Sequence, residues 1–145
     1  MAKFIEKEKY KEILELMPIL TVDGIVMRNG KVLLVKRKNK PLKGKYWTPG
    51  GRVYKGETLK KAFIRKIKEE TGINVRIISL VGFYEDFYPD NHWNIDTVHT
   101  VSAVFLATSD TDKVKLDGQS SGYKWTKRIP DRLKILVLFQ NLIGG

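Results

Sequence analysis

The sequence of 145 residues contains no cysteine, and this absence excludes disulfide bonds and thiolate metal sites. It also lacks any apolar run close to the roughly 18 residues that a membrane-spanning helix requires. Its first residues, 1–7, carry charges too early and too often for a signal peptide. We therefore expect a cytoplasmic protein without membrane contact, folded as a single domain over residues 1–145.

Acidic residues are scarce relative to basic ones. The chain has 16 Asp and Glu against 27 Lys and Arg, which gives a formal net charge of +11. This balance favours anionic ligands. The lysines are scattered, as on a solvated surface, and the few aromatic–basic clusters do not match an RNA-binding signature. We therefore expect a small anionic ligand and no nucleic-acid partner.

Periodicity and turn signals predict an α/β fold of helices and strands in alternation. Tyr10, Ile13 and Leu14 follow helical spacing, and Pro18 marks the end of that helix. Thr58 and Gly72 have the residue types that begin and end a helix. A mixed β-sheet with helices on its faces, an α/β/α sandwich, is the expected architecture. The predicted elements are helices over residues 4–16, 58–71 and 130–142, a hairpin of strands 19–27 and 31–36, and strands within 73–87, 97–108 and 123–126, with a break at residues 89–91.

A glycine-rich turn at residues 50–56 leads into a helix with adjacent glutamates near its end. Lys66, Glu69 and Glu70 are spaced i, i+3 and i+4 and so share one side of that helix. Two carboxylates there can coordinate Mg²⁺, with Mn²⁺ as the alternative. Lysine at position 66 adds a cation beside them, which favours one metal over a cluster. Glu57 is expected to hold the loop by pairing with Arg65 or with backbone amides rather than to bind metal.

The spacing of residues 51–73 resembles the Nudix box, G-x5-E-x7-R-E-U-x-E-E-x-G-U with U aliphatic. Lys66 stands where the box has a glutamate. This resemblance implies a Nudix-like α/β/α sandwich and a hydrolase of nucleoside diphosphates linked to another group. The matching residues are Gly51, Glu57, Arg65, Ile67, Glu69, Glu70, Gly72 and Ile73.

Within that family, residues 17–128 are similar to the GDP-mannose mannosyl hydrolases, notably over residues 44–53, 83–91 and 119–125. Those enzymes also lack the glutamate after the box arginine. The resemblance implies that water attacks carbon 1 of the sugar and releases GDP. It assigns the metal to the carbonyl of Gly50, to Glu70 and to Gln119. It assigns substrate and leaving-group contacts to Asp23, Arg37, Arg52 and Arg65.

Two further substrate contacts and the general base are less defined. Tyr88 and Trp93 are candidates for contact with a guanine or sugar ring. Ser120 occupies the position of the family's catalytic histidine, and a serine without a partner base does not take a proton near neutral pH. The candidate bases are Asp117, His92, His99 and Glu69.

Three functions remain open. The first is a Mg²⁺-dependent hydrolase of a nucleoside diphosphate sugar. The second is a Nudix pyrophosphohydrolase that attacks phosphorus of a nucleotide or dinucleotide. The third is a non-catalytic nucleotide- or RNA-binding domain. In each catalytic case the partner is a small nucleotide, and the sequence leaves a homodimer open.

Overall fold

A computed structural model describes residues 4–38, 43–128 and 131. No helix in these ranges is long and apolar enough to cross a membrane. The predicted C-terminal helix over residues 130–142 lies outside the described residues apart from position 131. The elements are α1 (Lys7–Leu16), β1 (Ile19–Arg28), β2 (Lys31–Arg37), β3 (Tyr46–Trp47), β4 (Gly50–Arg52), α2 (Leu59–Thr71), β5 (Val75–Asp90), β6 (Ile95–Ser109) and β7 (Ser120–Thr126).

The described strands form one sheet of seven strands. The sheet is mixed, as predicted. Its main path runs β3-β2-β1-β6-β5, with β4 paired to β1 and β7 paired to β2. Strands β1 and β6 are parallel over a long register from Ile19↔Thr100 to Met27↔Thr108, whereas the other pairs are antiparallel. The parallel pair brings the beginning of β1 beside the middle of β6, and the site described below is built on that region.

The box helix α2 begins and ends where its local sequence predicts. The Thr58 hydroxyl accepts a hydrogen bond from the Lys61 N–H at 3.2 Å and so satisfies a free donor of the first turn. At the other end Gly72 adopts φ 72° in the left-handed region, which glycine tolerates best. Phe63 and Ile67 on the inner side of α2 are fully buried.

The main core lies between α2 and the sheet. Phe63 stacks on Phe105 with ring centroids 5.1 Å apart. A Cβ at Gly24 would come within 2.1 Å of the Phe63 ring, so glycine at that position lets the helix approach β1 closely. The other buried members of this core are Val22, Val26, Leu33, Ala62, Ile67, Ile73, Ala103 and Ala107.

Two predicted boundaries are wrong, and two strands were missed. Helix α1 begins at Lys7 rather than at residue 4. The expected break at residues 89–91 begins only at Asn91, because β5 continues to Asp90. Pro89 is accommodated there by a register shift between Tyr88 and Asp90, on a strand at the edge of the sheet. Strands β3 and β4 were not predicted, because short strands depend on distant partners rather than on local patterning.

Candidate active site

A cavity of about 320 Å³ opens over the strand face next to the C-terminal end of α2. This size lies within the range of small-molecule sites. Five of the residues assigned from the sequence line it together with Ser120: Asp23, Arg37, Gly50, Glu70 and Gln119, with Tyr88 as a sixth. The remaining lining residues are Thr21, Val35, Trp47, Thr48, Gly51, Tyr84, Asp86, Thr100 and Ser102.

Glu70 is the acidic centre of the cavity. Glu70 is 7% exposed, and its Oε2 accepts a hydrogen bond from the Gly50 N–H at 3.0 Å. Burial raises the pKa of the Glu70 carboxyl from 4.5 to about 7. Lys66 and the Gly50 hydrogen bond lower this pKa, whereas the charges of Asp117 and Asp23 raise it further. Removal of the carboxyl from water is thus the main reason that its neutral form is favoured, and the charge of Lys66 opposes this only in part.

The loop that carries Gln119 is attached to the end of α2. The Lys115 N–H donates to the Thr71 carbonyl at 2.9 Å, and the Asp117 N–H donates to the Glu70 carbonyl at 3.3 Å. The Asp117 Oδ1 in turn accepts from the Gln119 N–H at 3.0 Å. These bonds bring the loop to the glutamate helix and place Gln119 on the wall of the cavity.

A hard divalent cation fits this donor set. In the described residues, no three His, Cys, Asp or Glu side chains lie close enough to hold a metal alone. A site at Glu70 would therefore draw on backbone and amide oxygens, which Gly50 and Gln119 can offer. A cation bound there would favour the ionised carboxylate and so oppose the effect of burial on the Glu70 pKa.

Position 50 accepts only glycine. A Cβ there would lie 2.2 Å from the Val22 carbonyl oxygen and 2.3 Å from Asp23 Oδ1. Strand β4 consequently lies flat against β1, with Gly50 paired to Asp23. This close approach sets the backbone of Gly50 beside both Asp23 and Glu70.

Asp23 is held by hydroxyl groups from two strands. The Ser102 hydroxyl donates to Asp23 Oδ2. The Thr21 hydroxyl donates in turn to Ser102 at 2.9 Å. The carboxylate is thus oriented before any ligand binds, with its other oxygen beside Gly50.

Arg37 supplies positive charge to the cavity wall. It ends β2 next to a register shift and is paired with Ser120 of β7. Burial raises the pKa of Tyr88, and the charge of Arg37 opposes this rise, so Arg37 lies close enough to act on Tyr88. Arg37 and Tyr88 thus line the same cavity, and their roles toward a substrate stay a prediction.

Arg65 and Glu57 form a clamp outside the cavity, as expected for Glu57. The Arg65 Nε and Nη2 donate to the two Glu57 carboxylate oxygens, each at 2.8 Å. Arg65 Nη2 also donates to the Arg52 carbonyl at 3.1 Å, and the hydrogen bond to Glu57 raises the Arg65 pKa. The Tyr54 N–H donates to Glu57 at 2.8 Å. The structure thus uses Arg65 to shape the loop rather than to line the cavity.

Arg52 and Trp93 both contact Tyr10 of α1. The Arg52 guanidinium lies 4.9 Å from the Tyr54 ring centroid and 5.6 Å from that of Tyr10. Trp93 contacts Tyr10 edge-on, with centroids 6.2 Å apart. Neither Arg52 nor Trp93 lines the cavity, so the structure does not bring these two to the other site residues.

The candidate bases are dispersed. Glu69 points away from the cavity, with its side chain 48% exposed and 3.2 Å from Arg65 Nη1. His99 Nε2 is 2.9 Å from Glu85 Oε2, and its ring stacks on Phe87. His92 packs edge-on against Trp93. Of the four candidates, Asp117 is the one whose charge reaches Glu70, while Ser120 itself is on the cavity wall.

Part of the cavity wall was missed by the sequence assignment, which named only Tyr88 on β5. Tyr84 and Asp86 precede Tyr88 on the same face of β5 and also line the cavity, whereas Phe83, Glu85 and Phe87 are exposed. Tyr84 and Asp86 pair with Ser102 and Thr100 of β6, which line the cavity as well. Both faces of this segment read aromatic, acid, aromatic, so residue type alone does not show which face lines the cavity.

The fold and the residue pattern agree with comparisons to known proteins. The NUDIX domain family matches residues 17–128. The chain is 36% identical over 121 residues to the low-salt glycan biosynthesis protein Agl8 of Haloferax volcanii, covering 83% of this chain and 78% of that protein. It is 44% identical over 105 residues to an ADP-ribose pyrophosphatase of Methanocaldococcus jannaschii, covering 72% of this chain and 59% of that enzyme. Its fold is similar to that of a MutT protein from Methanosarcina mazei Go1, with a TM-score of 0.70 and 22% identity over 88% of this chain and 96% of that one. The chain belongs to the Nudix hydrolase family.

Proposed function

We propose that the protein is a divalent-cation-dependent hydrolase of a nucleoside diphosphate sugar of the GDP-mannose kind, which releases a nucleoside diphosphate and free sugar by attack at carbon 1. The supporting observation is that one box glutamate, Glu70, enters the cavity, while Glu69 is at the surface and Lys66 replaces the third. Gly50, Gln119 and Arg37 complete a set suited to one cation, Mg²⁺ or Mn²⁺, and a diphosphate.

The arrangement fits departure of a diphosphate. As the bond between sugar and phosphate oxygen breaks, negative charge collects on the leaving phosphate. A bound cation at Glu70 would neutralise part of that charge. The Arg37 guanidinium, which also lines the cavity, can meet phosphate oxygens with two parallel hydrogen bonds. Asp23, held by Ser102, is oriented to accept from substrate or from water.

A second candidate is hydrolysis at phosphorus. It is favoured by the 44% identity to a protein named as an ADP-ribose pyrophosphatase. ADP-ribose is also a sugar linked to a nucleoside diphosphate, so the two candidates share a substrate class and differ in the bond that breaks. Because this chain spans 59% of that enzyme's length, the identity supports the shared site and leaves the bond cleaved to experiment.

Hydrolysis in ¹⁸O-labelled water distinguishes the candidates. GDP-mannose, in which the diphosphate is joined to carbon 1 of the sugar, and ADP-ribose, in which it is joined to carbon 5 of the terminal ribose, are incubated separately with the protein and Mg²⁺, and the products of each reaction are identified by mass. The proposal requires hydrolysis of GDP-mannose to labelled mannose and unlabelled GDP. Nucleoside monophosphate and sugar phosphate from either substrate, with label on phosphate, would select the second candidate instead.

A further inference from the structure

Helix α2 does not cover the whole of the sheet face on which it packs. The main core beneath it includes Val22, Ala103 and Phe105. On the edge strand β5, residues that pair with this part of β6 are exposed instead. Leu80 pairs with Phe105, and Phe83 pairs with Ala103. Paired residues lie on the same face of a sheet, so these exposed side chains continue the apolar surface of the core beyond the helix.

The exposed region, the β5 face, consists of apolar side chains from three neighbouring strands. Leu20 of β1 pairs with Val101 of β6, which pairs in turn with Glu85 of β5. Phe83 and Phe87 lie two residues to either side of Glu85 and are 54% and 60% exposed. Single exposed apolar residues are ordinary, whereas a contiguous group marks a contact surface. The apolar members of the β5 face are Leu20, Leu80, Phe83, Phe87 and Val101.

The β5 face is large enough to form the centre of a protein interface. At roughly 200 Å² for a whole phenylalanine, Phe83 and Phe87 together expose about 230 Å² in each copy. Leu20 and Leu80, each 42% exposed, bring this area to about 370 Å². Two such faces buried against each other would remove about 740 Å² from water, which is about half of a standard interface of about 1,600 Å². The other half of an interface is its more polar surroundings.

Apart from Leu20, the β5 face lies in a stretch of chain without lysine or arginine. Residues 77–112 contain neither, although the chain has 27 of them. Lysine is a common protection of exposed edge strands and is depleted at interfaces. Because the rest of the chain carries a large excess of positive charge, two copies repel each other through most of their other surfaces. The β5 face is where two copies can meet without bringing lysines together.

The polar pair within the β5 face is already satisfied inside one molecule. Glu85 Oε2 lies 2.9 Å from His99 Nε2. The His99 ring also stacks on Phe87, with ring centroids 4.3 Å apart. Apolar packing against this face therefore does not leave the Glu85 carboxylate without a hydrogen-bond partner.

We propose that the β5 face is the interface of a homodimer, with a second copy of this chain as its occupant. A two-fold axis brings the same surface of both copies together, so Phe83 and Phe87 of each copy are buried by the face of the other. The active-site cavity stays open, because its β5 residues, Tyr84, Asp86 and Tyr88, point to the other side of the strand. Strand β5 thus has one side in the cavity and the other in the interface.

Sedimentation of the full chain from low to high micromolar concentration tests the interface. The wild type should sediment as a dimer. Phe83→Thr and Phe87→Thr each remove one ring per copy and keep a residue that favours strands, and each should weaken the dimer at least about 100-fold, since the loss occurs twice. Tyr123→Thr is the matched control and should stay dimeric, because Tyr123 is 41% exposed on β7, and β2, β1 and β6 lie between β7 and β5.

Chemical crosslinking locates the contact independently of these substitutions. The chain has no cysteine, so Glu85→Cys introduces a single thiol within the β5 face, and Tyr123→Cys introduces one far from it. A bifunctional maleimide should link two copies of E85C and leave Y123C monomeric on a denaturing gel. A monomeric wild type, a dimer that persists in both phenylalanine variants, or equal crosslinking at the two positions would each overturn the inference.

Discussion

Replacing Glu70 by glutamine should stabilise the metal-free protein while abolishing activity. Burial raises the pKa of this carboxyl from 4.5 to about 7. Between these two values the unfolded chain releases its proton while the folded chain keeps it, so the free energy of unfolding falls as pH rises. Above about pH 7 this decrease in the free energy of unfolding is complete. A shift of this size corresponds to about 3 kcal/mol as an upper bound.

Glutamine removes this loss of stability because its side chain does not ionise. Its side-chain oxygen can still accept from the Gly50 N–H, as Glu70 Oε2 does at 3.0 Å. At pH 8 with a chelator, we expect Glu70→Gln to melt roughly 5–10 °C above wild type, and the difference to shrink as pH falls toward 4.5. Added Mg²⁺ should raise the melting temperature of wild type and leave the variant nearly unchanged.

Glu69→Gln is the matched comparison on the same turn of α2. Its carboxylate is at the surface and pairs with Arg65, so the variant should show neither the stabilisation nor the lost Mg²⁺ response. In the activity assay the loss should be far greater for Glu70→Gln than for Glu69→Gln. A Glu70→Gln protein that melts below wild type at pH 8, or equal activity losses in the two variants, would refute the reasoning from burial.

Two further substitutions concern the general base and the aromatic residue Tyr10 of α1. Ser120→His should raise the turnover of GDP-mannose, because a positioned general base contributes about 10²–10⁴-fold, and an unchanged rate in a folded variant would argue against attack at carbon. Tyr10→Leu should lower the melting temperature by a few degrees with KM and kcat nearly constant, since it removes one of the rings over Arg52 and Arg52 does not line the cavity, whereas Tyr10→Phe should keep the wild-type melting temperature. A Tyr10→Leu variant with a raised KM would show instead that α1 acts on the site through Arg52.

Local features of the fold were predictable because their causes lie close together in the sequence. The turn at Asn29 and Gly30 shows the positive φ angles, 51° and 74°, that its sequence predicts. The Thr58 cap and the Gly72 stop of α2 depend on hydrogen bonds within a few residues. The expectation that Glu57 pairs with Arg65 or with backbone amides is also confirmed, since both partners lie within eight residues of it.

The parts of the site that were missed depend on contacts between distant strands. Whether Asp86 faces the cavity or the solvent depends on its register with Thr100 of β6. Helical spacing placed Glu69 and Glu70 on one side of α2, yet the packing of α2 on β4 buries Glu70 and leaves Glu69 exposed. Spacing in the sequence shows which side chains share one side of a helix. Tertiary packing decides which of these side chains are buried.

Lys66 stands where the Nudix box has a glutamate and lies beside Glu70 of the candidate site. Its side chain packs over Gly51, where a Cβ would come within 2.3 Å of Lys66 Cε. Its ammonium reaches to 3.9 Å from Glu70 Oε1 and lowers the pKa of that carboxyl. Burial nevertheless keeps this pKa near 7, so the lysine charge offsets only part of the cost of removing the carboxyl from water. A cation bound at Glu70 would offset more of that cost, whereas a lysine at position 66 cannot act as a further metal ligand in the way a glutamate would.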